Sequence, residues 1–314
     1  MCRQCEAIQI ESRKNMNIQW YPGHMTKAKR QIEQDIRLVD IVAELLDARA
    51  PRSTQNPDIR RLSQSKKRLI LLNKSDLADD RETAKWIRKF RGEGCEVLAL
   101  DARKRDTVGL VKQAAARLSA EKRERDRTRG IQQNRPVKAL VCGIPNVGKS
   151  TFINSLLGKA SAKTGNKPGV TKGNQWLTVG GDFLLLDTPG VLWPKFSDEQ
   201  VGVNLALIGA INDQILQKEE LAIRLLSFLR RQYRSLLEAR YQLAEAELGE
   251  ALAAEERSVL GVDEEALAWF SLICRKRGCI KKGGLPDYER GGSLLLEEFR
   301  SGRIGKITLE AADE

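Results

Sequence analysis

The sequence predicts a doubly wound α/β domain with a mostly parallel sheet, followed by a C-terminal all-helical domain. Up to about residue 216, short apolar runs that end in polar or glycine-rich turns alternate with helical stretches. This alternation is typical of parallel strands that are buried on both faces. After residue 217, apolar residues recur at spacings of three and four, which indicates helices.

Five apolar runs are the predicted strands of the first domain. They are IVAELLDAR (41–49), RLILLNKSD (68–76), VLALDA (97–102), KALVCGIPN (138–146) and FLLLDTPG (183–190). In WLTVGGDFLLLD, Gly180, Gly181 and Asp182 separate two strand-like runs, which predicts a hairpin and therefore one antiparallel strand. We place the α/β domain at residues 17–216 and the helical domain at residues 217–314.

Two polar stretches are predicted to lie outside the packed elements. Residues 1–16 show no hydrophobic periodicity and are expected to form a disordered extension, unless translation begins at Met16. The stretch EKRERDRTRGIQQNRP, residues 121–136, has no apolar stripe and is typical of a solvated linker. Its first half fits the end of a helix that begins near Thr107 equally well.

Composition indicates a soluble globular protein with a basic surface. The chain has 41% hydrophobic and 31% charged residues, and no segment approaches the roughly 18 uninterrupted apolar residues of a membrane span. The six scattered cysteines are expected to be reduced thiols of a cytoplasmic protein and to bind no metal. A surplus of 54 Lys and Arg over 42 Asp and Glu gives +12, which favours a polyanionic partner such as nucleic acid, although a merely soluble surface is the alternative.

A phosphate-binding loop is predicted between the fourth strand and the helix after it. Residues 143–150, GIPNVGKS, match the pattern G-x-x-x-x-G-K-[ST] in the context that this pattern requires. Backbone N–H groups converge on phosphate oxygens in such a loop, the Lys149 cation reaches the β and γ phosphates, and the Ser150 hydroxyl ligates Mg²⁺. The predicted nucleotide-binding residues of the loop are Gly143, Asn146, Val147, Gly148, Lys149, Ser150 and Thr151.

Two switch-like segments follow this loop. Asp187-Thr-Pro-Gly190 ends the last strand, so the Asp187 carboxylate is expected to hold Mg²⁺ through water and the Gly190 N–H to reach a γ-phosphate. The polar stretch GNKPGVTKGNQ, residues 165–175, carries Thr171, which a first switch would offer to Mg²⁺ and the γ-phosphate. An ordinary surface loop is the alternative interpretation of this stretch.

Asn73, Lys74 and Asp76 form an Asn-Lys-x-Asp motif that predicts guanine recognition. A carboxylate at Asp76 accepts hydrogen bonds from the guanine N1–H and exocyclic amine, which adenine does not offer as a pair. The stem of Lys74 would pack along the base, and Asn73 would tie this segment to the phosphate loop. The Ala102 N–H would reach the guanine carbonyl oxygen, although Asp101 stands where serine is more usual. The predicted ligands are therefore GTP and GDP.

The guanine motif precedes the phosphate loop in the chain, which is the order of a circularly permuted P-loop GTPase. In its motifs the sequence most closely resembles the ribosome biogenesis GTPase A family. The resemblance also includes IQWYPGHMTKAKR (18–30), LLDARAPRSTQNP (45–57) and the tail YERGG…EEFRSGRIGKITLE. It covers the chain from about Asn17 to the C-terminus.

This resemblance implies a GTP-hydrolysing assembly factor. Such a factor binds the maturing large ribosomal subunit and its rRNA in the GTP state, is released after ribosome-stimulated hydrolysis, and is expected to be a monomer off the ribosome. Phosphate contacts are expected from the basic tail, at Lys276, Arg277, Lys281 and Lys282. Two alternatives remain: an RNA-binding assembly scaffold with incidental hydrolysis, and a permuted GTPase that acts on another RNA particle such as the small subunit.

The resemblance also bears on catalysis. Val191 stands where many GTPases place a water-orienting glutamine, so the catalytic group must come from elsewhere. His24 is the candidate general base, with RNA binding or surface packing as its alternative roles. Asn146 stands where potassium-dependent GTPases coordinate K⁺, whose charge would partly replace an arginine finger. The predicted catalytic residues are His24, Asn146, Lys149 and Thr171.

Overall fold

The structure is a computed structural model of the chain. It describes residues 24–104, 106–130, 136–158, 175–179, 183–188, 190, 192–193, 198–211, 217–254 and 263–312, with the side chains of 24–29 and 250–254 excepted. Two compact units make up the chain. Described residues from 24 to 193, together with 306–312, belong to the sheet unit, and those from 198 to 305 belong to the helical unit.

The described strands of the sheet unit form one sheet. They are β1 (Ile41–Asp47), β2 (Lys67–Asn73), β3 (Glu96–Ala99), β4 (Val137–Gly143), β5 (Gln175–Val179) and β6 (Phe183–Asp187). Their order across the sheet is β3-β2-β1-β4-β6-β5, and only the β5–β6 pair is antiparallel among these strands. Every residue of β1 is buried, as expected for a central strand that is covered on both faces.

The register brings the predicted motifs to one edge of the sheet. Asp47 at the end of β1 pairs with Asn73 at the end of β2, and Leu45 pairs with Gly143 at the end of β4. Asp187 ends β6, which is parallel to β4. Because the ends of parallel strands meet at the same edge, residues from widely separated parts of the chain converge there.

Helices of 4 to 22 residues belong to the same unit as this sheet. They are α1 (His24–Leu38), α2 (Pro51–Thr54), α3 (Pro57–Leu62), α4 (Asp80–Gly92), α5 (Thr107–Thr128) and α6 (Lys149–Leu157). The carboxylate of Asp79 caps α4 by accepting hydrogen bonds from the backbone N–H groups of Arg81 and Glu82. Helix α5 continues to Thr128, so the first half of the predicted linker is the end of a helix, and residues 131–135 lie outside the described residues.

The helical unit contains helices packed through small residues. Its described helices are α7 (Glu199–Leu207), α8 (Lys218–Gln232), α9 (Arg234–Tyr241), α10 (Glu245–Ala254), α11 (Glu264–Lys276) and α12 (Tyr288–Arg300). A Cβ atom on Gly292 would lie 2.9 Å from the Lys218 carbonyl oxygen, and one on Gly291 would collide with Cys274 Sγ. The two glycines therefore allow α12 to approach α8 and α11 closely.

The end of the described chain packs with the sheet unit. Ala312 belongs to a buried cluster with Trp86 and Phe90 of α4. Sequence periodicity placed residues 217–314 in one helical domain, whereas the helical unit of the structure runs from Asp198 to Gly305. A short segment without regular structure carries no periodic pattern, so its packing partner cannot be deduced locally.

The predicted fold class is confirmed. The chain has a doubly wound, mostly parallel α/β sheet with one antiparallel strand, and helices dominate the described part of its C-terminal third. None of the helices in the described ranges is both long enough and apolar enough to span a bilayer.

Candidate nucleotide-binding site

The predicted phosphate loop lies between the end of β4 and the start of α6. Gly148, the residue before α6, has a φ of 97°. A Cβ atom there would collide with the side-chain nitrogen of Asn73, so both the conformation and the space require glycine. Asn146 also has a positive φ, of 61°. A loop of this form at a helix N-terminus points backbone N–H groups toward an anion.

Asn73 connects three segments of the site. Its Nδ2 donates to the Val147 carbonyl oxygen at 2.8 Å, which supplies the predicted link between the guanine motif and the phosphate loop. Its Oδ1 accepts the Ala102 N–H at 2.9 Å. The N–H expected to reach guanine is therefore bonded to Asn73 in the structure, and both bonds fix the positions of the segments around a base.

Lys74 lies between the guanine motif and the phosphate loop. Its backbone is left-handed, with a φ of 59°, and its Nζ donates to the Asn146 carbonyl oxygen at 3.0 Å. The same Nζ donates to Asp47 Oδ2 at 2.8 Å. Burial lowers the pKa of Lys74, and the Asp47 carboxylate opposes this shift.

Asp47 and Arg49 also belong to this cluster, although no sequence motif assigns them to it. Arg49 is 2% exposed, and its Nε and Nη2 donate to the two oxygens of Asp47 at 2.9 and 2.8 Å. Burial alone would raise the pKa of Asp47, but the cations of Arg49 and Lys74 hold it well below its usual value. Asp47 is therefore an ionised carboxylate that orients Lys74. The signal available in the sequence was its place in the LLDARAP run.

Asp76 has one engaged and one unpaired oxygen. Arg103 Nη2 donates to its Oδ2 at 2.6 Å, and the same guanidinium bonds Asp101 at 2.8 and 2.9 Å. Oδ1 of Asp76 is buried and finds no hydrogen-bond partner within the described part of the chain. A buried acceptor without a donor is unusual in a folded protein, so this oxygen is available to accept a hydrogen bond.

Lys149 and Asp187 form a buried ion pair at the mouth of the phosphate loop. Lys149 Nζ donates to Asp187 Oδ1, and the two residues are 7% and 4% exposed. Burial raises the pKa of Asp187, and the Lys149 cation only partly offsets this. Gly190 approaches the same loop, because a Cβ atom on it would lie 3.1 Å from the Pro145 nitrogen.

This set of donors fits Mg²⁺, the ion that GTPases usually bind. Mg²⁺ prefers hard oxygen ligands, and the Asp187 carboxylate and Ser150 hydroxyl are such ligands. A carboxylate whose pKa burial raises also gains from a nearby cation. Ser150 and Asp187 would hold the ion, which neutralises charge on the β and γ phosphates when it is bound.

Some predicted residues lie outside what the structure describes. Thr171 and Val191 fall in undescribed stretches. His24 is the first residue of α1, but its side chain is not among those described. The other predicted nucleotide-binding residues lie in the phosphate loop or at the start of α6, at or just after the ends of β2 and β6, or in the loop after β3.

Comparisons with known proteins give this arrangement its family. Residues 138–256 match the family model described as 50S ribosome-binding GTPase. The chain is 42% identical over 299 residues to Ribosome biogenesis GTPase A of Priestia megaterium, covering 95% of this chain and 98% of that protein. The protein of that name from Thermotoga maritima is 32% identical, with 94% and 95% covered.

Solved structures give the same result. A GDP-bound YlqF structure superposes with a TM-score of 0.61 at 28% identity, covering 91% of this chain and 100% of that one. A GNP-bound YlqF structure from Thermotoga maritima has a TM-score of 0.59 at 29% identity, with 92% and 99% covered. From these matches and the arrangement of its phosphate loop, the chain is a GTPase that belongs to the ribosome biogenesis GTPase A family.

Proposed function

We propose that this GTPase binds the maturing large ribosomal subunit in its GTP state and leaves after ribosome-stimulated hydrolysis. One observation carries the proposal: residues 138–256 match a family described as 50S ribosome-binding GTPase. The names of the relatives agree with a role in ribosome assembly. We place this activity in the cytoplasm, with the protein a monomer off the ribosome.

Guanine is recognised by Asp76 in this proposal. The unpaired, buried Oδ1 supports the assignment, because the guanine N1–H and exocyclic amine are the donors that a carboxylate at this position lacks. Lys74 and Asn73 then set the distance between the base and the phosphates, since each bonds a carbonyl oxygen of the phosphate loop.

Phosphate binding and hydrolysis use the opposite end of the site. Lys149 would exchange its bond to Asp187 for the β and γ phosphates, and Ser150, Thr171 and, through water, Asp187 would hold Mg²⁺, which would neutralise phosphate charge. The Gly190 N–H contacts the γ-phosphate. We assign water activation to His24, because Val191 carries no group that orients water. We assign K⁺ binding to Asn146.

The basic tail supplies a compact candidate surface for rRNA. Lys276 pairs with Glu247 at 2.6 Å, and Arg277 pairs with Glu298 at 3.4 Å, so these two cations are engaged within the helical unit. Lys281 and Lys282 are exposed in a turn that a bond from Lys281 N to the Leu285 carbonyl oxygen closes at 2.8 Å. We therefore assign the phosphate contacts mainly to these two lysines.

Co-sedimentation with purified ribosomal subunits tests the proposal. The full chain should pellet with the large subunit in the presence of a non-hydrolysable GTP analogue, less with GDP, and less again as salt rises. Pelleting that is indifferent to both nucleotide and salt contradicts the proposal, and stronger pelleting with the small subunit identifies a different particle.

A matched pair of variants tests the rRNA surface. The double variant Lys281→Gln and Lys282→Gln should pellet more weakly and show a salt dependence about two counterions shallower. The double variant Arg81→Gln and Arg88→Gln, which removes two exposed cations of α4, is the control and should behave as wild type. If both variants pellet equally weakly, the effect is one of net charge and does not identify this surface.

A further inference from the structure

The C-terminal segment of the chain bonds directly to the segment that carries Asp76. We call residues 307–310 the C-terminal clip. The Ile307 N–H donates to the Leu77 carbonyl oxygen at 3.0 Å, and the Asp79 N–H donates to Thr308 Oγ1 at 3.1 Å. Asp76 lies in the short 3₁₀ turn Ser75–Leu77, so the clip bonds to the end of this turn and to the residue that caps the next helix.

The clip also bonds the segment after β1. The Leu309 N–H donates to the Arg49 carbonyl oxygen at 2.7 Å. The Glu310 carboxylate accepts the N–H groups of Arg52 and Ser53 at 2.7 and 2.9 Å, as well as the Ser53 hydroxyl. Arg49 in turn holds Asp47, which orients Lys74. The clip thus reaches both side chains that are proposed to contact guanine, each through one or two intermediate residues.

These contacts are shielded from water. Ile307, Thr308 and Leu309 are 1%, 3% and 8% exposed. Trp86 Nε1 also donates to the Glu310 carbonyl oxygen at 3.0 Å, which anchors the end of the clip on α4. Loss of a bond here leaves a buried donor without its acceptor. Such a loss costs more free energy than the loss of an exposed hydrogen bond.

We propose that the C-terminal clip is a positioning element for guanine recognition. By fixing the Asp76 turn and the Asp47–Lys74 pair before nucleotide arrives, it reduces the ordering that binding must otherwise impose. The nucleotide motifs all precede the helical unit in the chain, whereas the clip follows Gly305, the last residue of that unit. Guanine recognition would therefore depend on residues from both sides of the helical unit in the sequence. This inference rests on the proposed role of Asp76.

The effect should be larger at the base than at the phosphates. The clip bonds the Asp76 turn directly at Leu77, whereas its link to the phosphate loop is longer and runs through Arg49, Asp47 and Lys74. A loosened clip should therefore weaken the hydrogen bonds of Asp76 to guanine more than it weakens phosphate binding. Comparing GDP affinity with IDP affinity isolates the contribution of the bond from the guanine amine to Asp76, because the hypoxanthine base of IDP lacks this amine.

The experiment measures GDP and IDP affinity in the full chain for wild type, Thr308→Val and Glu310→Gln. Thr308→Val removes the bond from the Asp79 N–H, and Glu310→Gln weakens the bonds that the carboxylate accepts from Arg52 and Ser53, both at nearly constant volume. We expect GDP affinity to fall by about three- to tenfold and IDP affinity to fall less, so that the GDP to IDP ratio drops. Lys306→Ala is the control, because it removes only an exposed pair with Asp80 beside the clip.

Each outcome decides the inference. A drop in the ratio for Thr308→Val and Glu310→Gln, with the ratio of Lys306→Ala unchanged, supports the clip. If the folded clip variants keep the wild-type GDP to IDP ratio, the positioning role of the clip is overturned, and the proposed role of Asp76 is unaffected. A wild-type protein that binds IDP as tightly as GDP removes the role of Asp76, and the clip's role with it.

A second measurement needs no variant. Coupling between two sites is reciprocal, so GDP that binds the positioned turn should slow hydrogen exchange at the clip amides of Ile307 and Leu309. Exchange at these amides that is identical with and without GDP overturns the inference. Identical exchange is the result expected if the clip only stabilises the fold.

Discussion

Lys74 Nζ lies 2.8 Å from Asp47 Oδ2, and this ion pair joins the guanine motif to the first strand of the sheet. The same Nζ lies 3.0 Å from the Asn146 carbonyl oxygen of the phosphate loop. Lys74 therefore bridges two segments that lie far apart in the chain. Its position depends on Asp47, which is 0% exposed and is also held by Arg49.

Asp47→Asn should weaken nucleotide binding. The substitution leaves the cations of Arg49 and Lys74 without their shared buried carboxylate, which costs about 3–5 kcal/mol for a pair of this kind. We expect a lower melting temperature and GDP affinity reduced by about tenfold or more in the folded variant. Titration with a fluorescent GDP analogue measures the affinity, and Asp80→Asn, at an exposed carboxylate, is the control. Unaltered GDP affinity in folded Asp47→Asn would show that Lys74 needs no orienting partner.

Arg103→Met should strengthen GDP binding. Arg103 holds one oxygen of Asp76, which guanine needs, so the arginine competes with the base. Because the Arg103 side chain is 65% exposed, the effect is small, about two- to fivefold in GDP affinity. Arg117→Met, which removes a comparable exposed pair with Glu96, is the control. A weaker GDP complex would instead assign Arg103 to holding the nucleotide.

Glu44 should make the stability of the protein fall as pH rises. Burial raises the pKa of Glu44 to about 7 from 4.5, against the opposing effect of Arg68. Between these two values the unfolded chain loses the proton while the folded chain keeps it, so the free energy of unfolding decreases across this window. The full decrease is up to about 3 kcal/mol.

Urea unfolding at pH 5 and pH 8 tests this behaviour. Glu44→Gln cannot ionise, so it should lack the decrease that Glu44 causes and gain stability relative to wild type at the higher pH. Glu289→Gln, an exposed carboxylate of α12, should follow the wild-type profile. If wild type and Glu44→Gln lose stability in parallel, the carboxyl of Glu44 ionises normally in the folded protein.

His24→Ala should lower ribosome-stimulated turnover without changing GDP affinity. A general base contributes about 10²- to 10⁴-fold to a rate, so a loss within that range is expected in single-turnover assays with the large subunit. Arg30→Ala, an exposed residue of the same helix α1, is the control. An unchanged stimulated rate in His24→Ala would return the histidine to RNA binding or surface packing.

Much of the fold was predictable because its signals are local. Apolar runs such as KALVC and FLLLD are strands, and the hairpin between β5 and β6 follows from the glycines that separate them. The permuted order was also readable, since Asn73 precedes Gly143 in the chain while both end strands at the same edge. Strand pairing depends on burial and register, which chain order does not alter.

The parts that escaped prediction depend on contacts between distant residues. Nothing near Asp47 reveals that Lys74 will reach it, and nothing near Glu310 reveals that it will accept from the amides of Ser53 and Arg52. The bond from the Ala102 N–H to Asn73 is another such contact, and the contact of this N–H with guanine stays a prediction. Such details require the folded positions of both partners.

GTP turnover by the full chain, measured with and without isolated large and small ribosomal subunits in KCl and in NaCl, tests the central claim most directly. We predict slow turnover alone, acceleration by the large subunit but not by the small one, and a faster stimulated rate in KCl. Turnover that the large subunit leaves unchanged, or that both subunits raise equally, would contradict the proposed function.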